Sequence, residues 1–287
     1  MRYEFIEAEK ANFPVGILCT VLSVGRSGFY AWSTREESKH AREDRQLGVE
    51  VRCVFESNRR QYGSPRVHAE LRAQGRSVGR HRIARLMRTQ GLQARRRRRF
   101  VATTDSRHAS PMAENIVARR FKAAAKDQVW VGDVTFIATR EGWLYLAVLL
   151  DLYSRRVVGW AMGERNDEGL TLGALHMALG ERRPPPGQLV HHTDRGTTYA
   201  STEYQDVLRR KGIRCSMSRR GNCWDNAVAE SFFSSLKTEG VGNVTFPSRD
   251  AARRVTFEYI AAFYNSTRRH SYLGYKSPIE FEESDDS

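Results

Sequence analysis

From Val129 onward, three strand-like runs follow one another with only short turns between them. They are VWVGDVTFIAT (129–139), GWLYLAVLLDL (142–152) and RRVVGWAM (155–162), rich in β-branched and aromatic residues and separated at Glu141-Gly142 and around Tyr153-Ser154. The pattern then changes. DEGLTLGALHMALG (167–180) sets Leu170, Leu175, Ala178 and Leu179 at helical spacing, and after Pro184-Pro185-Pro186-Gly187 comes a fourth strand, QLVHHTD (188–194). A short helix over about 201–211, a fifth strand IRCSMS (213–218) and a half-apolar helix NAVAESFFSSLKTE (226–239) complete the order β-β-β-α-β-α-β-α. A meander followed by crossover strands makes an α/β unit: a mixed five-stranded sheet flanked by helices.

Three carboxylates stand out against this background. Asp133 lies inside a strand otherwise built of Val, Trp, Gly, Thr, Phe and Ile, where an unpaired charge is disfavoured and expensive. Asp194 ends the fourth strand in HHTDRGTTYAS, where a chain leaves a sheet and ligands bind. Glu230 sits on the last of these helices, with 35 residues between it and Asp194. If the fourth strand inserts beside the first, all three meet at one edge of the sheet. Val228, Phe232 and Leu236 recur at i, i+4 and i+8, about opposite Glu230, so the helix is expected to pack by that stripe and turn Glu230 outward. Lys237 follows Glu230 by two turns on nearly the same face, placed to hold a phosphate; the ordinary alternative is a surface lysine.

The net charge of +14 is unevenly spread. Residues 1–125 hold 26 Lys+Arg against 12 Asp+Glu, and residues 126–287 hold 21 of each. So concentrated an excess points to a polyanionic partner, nucleic acid above all. Residues 15–33, VGILCTVLSVGRSGFYAWS, read as helix, glycine-containing turn and helix, with Ile17, Leu18, Val21 and Leu22 as the apolar face. Residues 64–91, SPRVHAELRAQGRSVGRHRIARLMRTQG, repeat the idea. Ser64 is the expected cap with Pro65 behind it, Gly75 and Gly91 are stops, Ile83, Leu86 and Met87 face inward, and Arg82, Arg85 and Arg88 face phosphates. Arg95, Arg96, Arg97, Arg98 and Arg99 cannot share a core; they are expected to track a DNA backbone by counter-ion release. No apolar run reaches membrane-spanning length and the N-terminus lacks a signal-peptide pattern. Cys19, Cys53, Cys215 and Cys223 are scattered, which suits reduced thiols and no structural zinc.

The segments VWVGDVTFIATREGWLYLAVLLDLYSRRVVGW, HHTDRGTTYAS and SRRGNCWDNAVAESFFSSLKTE, followed by YIAAFYNSTRRHSYLGYKSPIEF, resemble the DDE transposases of two-frame bacterial insertion sequences. The resemblance is to the second-frame product, whose catalytic core is related to retroviral integrases, and it extends over nearly the whole chain. Its most specific element is the Asp, Asp, 35 residues, Glu spacing with lysine seven places later. It implies a ribonuclease H-like fold in which Asp133, Asp194 and Glu230 are the catalytic and metal-ligating residues. The reaction it implies is cleavage of the element's ends and strand transfer by the freed 3′-hydroxyl, through a circular intermediate, with two ions of Mg²⁺ or Mn²⁺. The residue types suit that chemistry independently: hard carboxylate oxygens hold Mg²⁺, and a metal pair serves both oxygens of an in-line phosphoryl displacement. No spacing argues for a covalent Ser or Tyr nucleophile.

The expected organisation is a helix-turn-helix segment (1–58), a second such segment (59–94), a basic linker (95–122), the catalytic domain (123–282) and an acidic tail (283–287), with EFEESDDS taken as disordered. Expected partners are double-stranded DNA, as terminal inverted repeats and as target, further copies of the chain on paired ends, and the upstream-frame product or a fusion with it, in the bacterial cytoplasm at the nucleoid. Arg268 and Arg269 follow a helix over about 249–266 and are read as DNA contacts. Asp151 is read as capping a turn or pairing Arg155, His192 as a satisfied strand histidine, and Trp224-Asp225-Asn226 as the cap of the Glu230 helix. Two other functions fit the same composition: a catalytically silent DNA-binding regulator of transposition, and a nuclease for RNA–DNA hybrids. The complete triad argues against the first and the helix-turn-helix segments against the second.

Overall fold

The computed structural model describes residues 1–94, 113, 115–116, 123–218, 226–242 and 244–285. The chain divides into two compact units, Met1–Arg52 and Cys53–Ser287.

In the first unit, α1 (Arg2–Glu9), α2 (Val15–Val21) and α3 (Arg26–Ser33) close around Ile6, Leu18, Cys19 and Phe29. The bend between α2 and α3 is 116°, within the range of helix-turn-helix pairs. Ile17 and Val21, expected on the inner face, are exposed at 57% and 74%. The stripe that packs is Leu18, Cys19 and Leu22, because a helix of two turns in so small a unit buries one side only. Neither α1 nor the long α4 (Lys39–Ser57) is among the elements expected from the sequence.

The described part of the second unit includes a helical hairpin, α5 (Ser64–Ala73) and α6 (Arg80–Thr89), with Val67, Leu71, Ile83, Leu86 and Met87 buried. Gly63, not Ser64, takes the N-cap position, and Pro65 lies in the first turn. Gly75 and Gly91 sit at φ +84° and +66° after the two helices, as glycine stops do. The strands are β1 (Val129–Thr139), β2 (Gly142–Asp151), β3 (Val157–Gly163), β4 (Val190–Thr193) and β5 (Arg214–Met217), in the order β3-β2-β1-β4-β5. β1, β2 and β3 pair antiparallel, while β4 pairs parallel with β1 and β5. This is the mixed sheet that the element order implied.

The helices α7 (Glu168–Arg182), α8 (Thr202–Arg210), α9 (Ala227–Ser235), α10 (Arg249–Phe257) and α11 (Pro278–Glu283) flank the sheet. Trp130, Ala147, Leu149 and Val158 pack with Leu172, Leu175, Ala178, Tyr204 and Leu208 of α7 and α8. Gly159 permits this approach: a Cβ there would lie 2.3 Å from the carbonyl oxygen of Ala174. Elsewhere an aromatic cluster joins Phe232 of α9 to Tyr264 edge to face at 4.8 Å. Both α9 and α10 run on into π-helical segments, Leu236–Gly240 and Glu258–Tyr264.

As far as Asp285 the acidic C-terminus corrects the expectation of disorder; residues 286–287 lie outside those described. Ser277 and Glu280 form a capping box that starts α11. Glu282, 5% exposed, accepts hydrogen bonds from Arg156 at 2.8 Å and from Arg182 at 2.7 and 2.9 Å. A carboxylate with two guanidinium partners explains why so acidic a stretch is ordered. Among the described residues no single helix is long and apolar enough to cross a membrane.

Candidate active site

The sheet register places two of the three carboxylates side by side. β4 pairs with β1 only as far as Gly132 and Thr193, so Asp133 and Asp194 are the next residues on two neighbouring parallel strands. Such strands run about 4.8 Å apart, and residues in register point to the same face. At the far end of β1, Arg140 N donates to Phe246 O at 2.9 Å and Phe246 N to Ala138 O at 3.0 Å. Between these two pairings, on the β4 side, β1 has no strand partner among the described residues. A cleft of about 440 Å³ opens at this gap, lined by Asp133, Phe136, Trp143, Asp194, Thr197 and Tyr199 among others.

The charges in and around the cleft act on one another. Burial, then the Asp194 carboxylate, holds Asp133 well above the usual carboxylate range. The Val134 N–H that it accepts at 2.8 Å opposes the rise, Glu230 adds to it, and Lys237 opposes it. Burial also raises Glu230. The Lys237 ammonium lies 5.1 Å from the centre of the Phe136 ring; burial lowers its pKa and Asp133 supports its charge. Asp194 Oδ1 accepts from Gly196 N at 2.9 Å, which fixes the turn after β4.

Glu230 is on α9, outside the lining of the cleft, and acts on Asp133 through charge. The buried side of that helix is Ala229, Phe232, Phe233 and, just past it, Leu236. Phe232 and Leu236 pack as expected, whereas Val228 is half-buried, as is Glu230 itself. Among the described residues no three His, Cys, Asp or Glu side chains stand close enough together to hold a metal ion. The donor chemistry nevertheless fits one. Asp133 and Asp194 supply hard carboxylate oxygens on neighbouring strands, and burial together with the nearby acidic groups raises the proton affinity of Asp133, a cost that a divalent cation would relieve.

The framework behind the cleft is tied by polar side chains. His192 is buried, with Nδ1 2.9 Å from Ser216 Oγ and Nε2 3.3 Å from Ser218 Oγ, the satisfied role expected of it. His191 Nε2 lies 2.7 Å from the Tyr204 hydroxyl, and burial lowers its pKa to about 3. Asp151 accepts from the backbone N–H groups of Asp127, Tyr153 and Ser154 at 2.7 to 2.9 Å and so caps the turn after β2.

The basic residues divide. Arg85 and Arg88 are exposed on α6 and Arg82 is half-buried. Arg95, Arg96, Arg97, Arg98 and Arg99 lie outside the described residues, as do Trp224 and Asp225, while Asn226 occupies the N-cap position of α9. Arg268 and Arg269 require correction as DNA contacts. Arg268 is 1% exposed and donates to both oxygens of Glu239 at 2.5 and 2.7 Å, so its guanidinium is a buried strut that cannot reach a phosphate. Arg269 is held by Glu70 at 2.8 Å and Glu280 at 3.0 Å, and its backbone N–H donates to the Tyr62 hydroxyl at 2.9 Å. It ties the α5 hairpin to the C-terminal helices. Sequence reasoning passed over Phe136 and Trp143, because strand aromatics usually fill cores; only their exposure of 37% and 49% sets them apart.

Family models and relatives match most of this chain. Residues 123–223 and 211–278 match models of the integrase core domain, and residues 41–100 match an HTH-like domain. The transposase InsF of insertion sequence IS3A from Escherichia coli is 43% identical over 98% of this chain and 98% of its own length. An uncharacterised 31 kDa protein of insertion element IS600 from Shigella sonnei is 45% identical over 93% of this chain and 97% of its own length. Among solved structures, the magnesium complex of the HTLV-2 integrase catalytic core is similar with TM-score 0.41 and 17% identity, over 56% of this chain and 99% of that one.

Proposed function

Since the chain belongs to the transposases of IS3-type insertion sequences, we propose that Asp133, Asp194 and Glu230 are its catalytic carboxylates and that it cuts the element's ends and joins them by 3′-hydroxyl transesterification. The protein is a DNA transposase with an integrase-type core, hence a polynucleotidyl transferase, and the silent-regulator alternative is not favoured. The observation that supports the triad is the register: Asp133 and Asp194 follow directly after the last β1–β4 pair and line one cleft of about 440 Å³, and the charge of Glu230 acts on Asp133.

Asp133 and Asp194 would hold divalent cations, Mg²⁺ or Mn²⁺, with Glu230 as the third ligand; two such ions supply Lewis-acid stabilisation of the attacking and leaving oxygens. Lys237, beside Asp133, would bind a phosphate of the DNA end and orient the scissile bond. Arg82, Arg85 and Arg88 on α6, together with Arg95–Arg99, would neutralise backbone phosphates and add affinity without sequence preference. Several copies of the chain on paired ends, and cooperation with an upstream-frame product, belong to the same proposal.

The test incubates the full chain, alone and with the upstream-frame product, with a labelled duplex carrying the terminal repeat. Nicked and joined products are expected with Mg²⁺ or Mn²⁺ and not with EDTA. Asp133→Asn, Asp194→Asn and Glu230→Gln should bind the duplex and leave it intact. Cutting by any of the three near the wild-type rate would remove that residue from the site.

A further inference from the structure

One feature of the cleft is unused by this chemistry. Phe136 and Trp143 meet edge to face with ring centres 4.8 Å apart, yet both stay exposed, at 37% and 49%. They line the same cleft as Asp133 and Asp194. Their strands cannot yield easily. The hairpin between them is clamped by Thr139 Oγ1 donating to Gly142 O at 2.6 Å, by Arg249 N donating to Glu141 Oε2 at 2.8 Å, and by the backbone pair to Phe246. The result is a rigid aromatic wall that the protein's own core does not cover.

We infer that Phe136 and Trp143 form a stacking platform for an unpaired nucleobase next to the scissile phosphate. The inference rests on the catalytic reading of Asp133 and Asp194. Phe136 is three residues along β1 from Asp133, ~10 Å and an odd offset that turns the two side chains to opposite faces, but both line one cleft, within which a nucleotide adjoining the reacting phosphate can span them. The Lys237 ammonium lies against the Phe136 ring, so the cation suited to that nucleotide's phosphate and the rings suited to its base are neighbours. Bases inside a duplex have both faces covered, so only a base released from its partner can use the wall. Aromatic stacking of this kind tolerates any base, and it favours ends whose terminal pairs open readily. The platform is therefore a positioning device: it captures an opened end and sets the phosphate against the carboxylates.

The test binds the full chain to the terminal-repeat duplex in EDTA, with 5-iododeoxyuridine placed at successive positions around the cut. Irradiation should crosslink one of those positions to the peptide carrying Trp143 or Phe136, more strongly when that pair is mismatched. Trp143→Ala should lose the crosslink and cut a paired end roughly tenfold more slowly, but cut a mismatched end at close to the wild-type rate; Trp143→Phe should keep most of both. Crosslinks that fall only elsewhere would overturn the proposal, as would equal slowing on paired and mismatched ends. A changed oligomeric state of Trp143→Ala without DNA would make the rings a protein contact and also overturn it. Asp133→Asn separates the two readings. It should keep the crosslink while cutting nothing, and if it cuts normally the catalytic reading fails although the crosslink still reports on the platform.

Discussion

Asp133 is both the least comfortable residue of the cleft and the most informative. Its raised proton affinity, from burial and from Asp194, sets the sign of its effect on stability. Its contribution is fullest below the unfolded-state pKa of about 3.9 and is lost as pH rises through the raised folded value. At neutral pH without metal, Asp133→Asn should therefore raise Tm, by about 2–4 °C for each kcal/mol relieved in a unit of this size. With Mg²⁺ or Mn²⁺ present, wild type should gain Tm and the variant should not. A differential melting curve in EDTA and in metal checks both. Arg268 gives the opposite case. Removing Arg268 leaves the buried Glu239 with only Arg66 at 3.4 Å and the Tyr259 hydroxyl at 3.2 Å, so Arg268→Ala should cost up to about 3–5 kcal/mol, measurable by urea titration. These two residues also mark what could be read from the sequence. A carboxylate among β-branched neighbours announces itself, whereas Arg268 looked solvent-facing because its partner lies 29 residues away and no periodicity reports a long-range ion pair.

At the scale of elements, the order of strands and helices was legible because each run is long and of one texture. The ends were less so. Ser64 reads as a cap, yet Gly63 takes that position. EFEESDDS reads as a solvated tail until the arginines across the fold are known. The π-helical continuation of α9 leaves no mark in the sequence pattern, although Lys237 lies within it. Two substitutions test the packing. Gly159→Ala would drive a methyl against the backbone of α7 and should cost about 1–3 kcal/mol. Ser277→Ala removes the capping-box acceptor of α11 and should cost about 1 kcal/mol. Thermal melts of each variant decide; a neutral Gly159→Ala would mean that α7 lies less tightly on β3.

For the whole molecule, charge and chemistry are divided along the chain: the excess of arginine and lysine lies before residue 126, and the balanced remainder builds the sheet and its cleft. The sheet carries its own pH limit. His191 is neutral in the fold, its pKa lowered from 6.5 to about 3, so below pH 6.5 the unfolded chain takes up a proton that the fold refuses. Stability should fall between pH 6.5 and 3, and His191→Gln should flatten that slope by up to about 1.4 kcal/mol per pH unit. The claim on which the account turns is that Asp133, Asp194 and Glu230 work as one unit, and single-turnover cleavage of the terminal-repeat duplex tests it directly. Rates would be compared for Asp133→Asn, Asp194→Asn, Glu230→Gln and the triple variant. Groups that act together lose nearly everything with the first removal, so each single variant should be about as slow as the triple. Losses that instead add from one variant to the next would mean three separate carboxylates and would contradict the shared site.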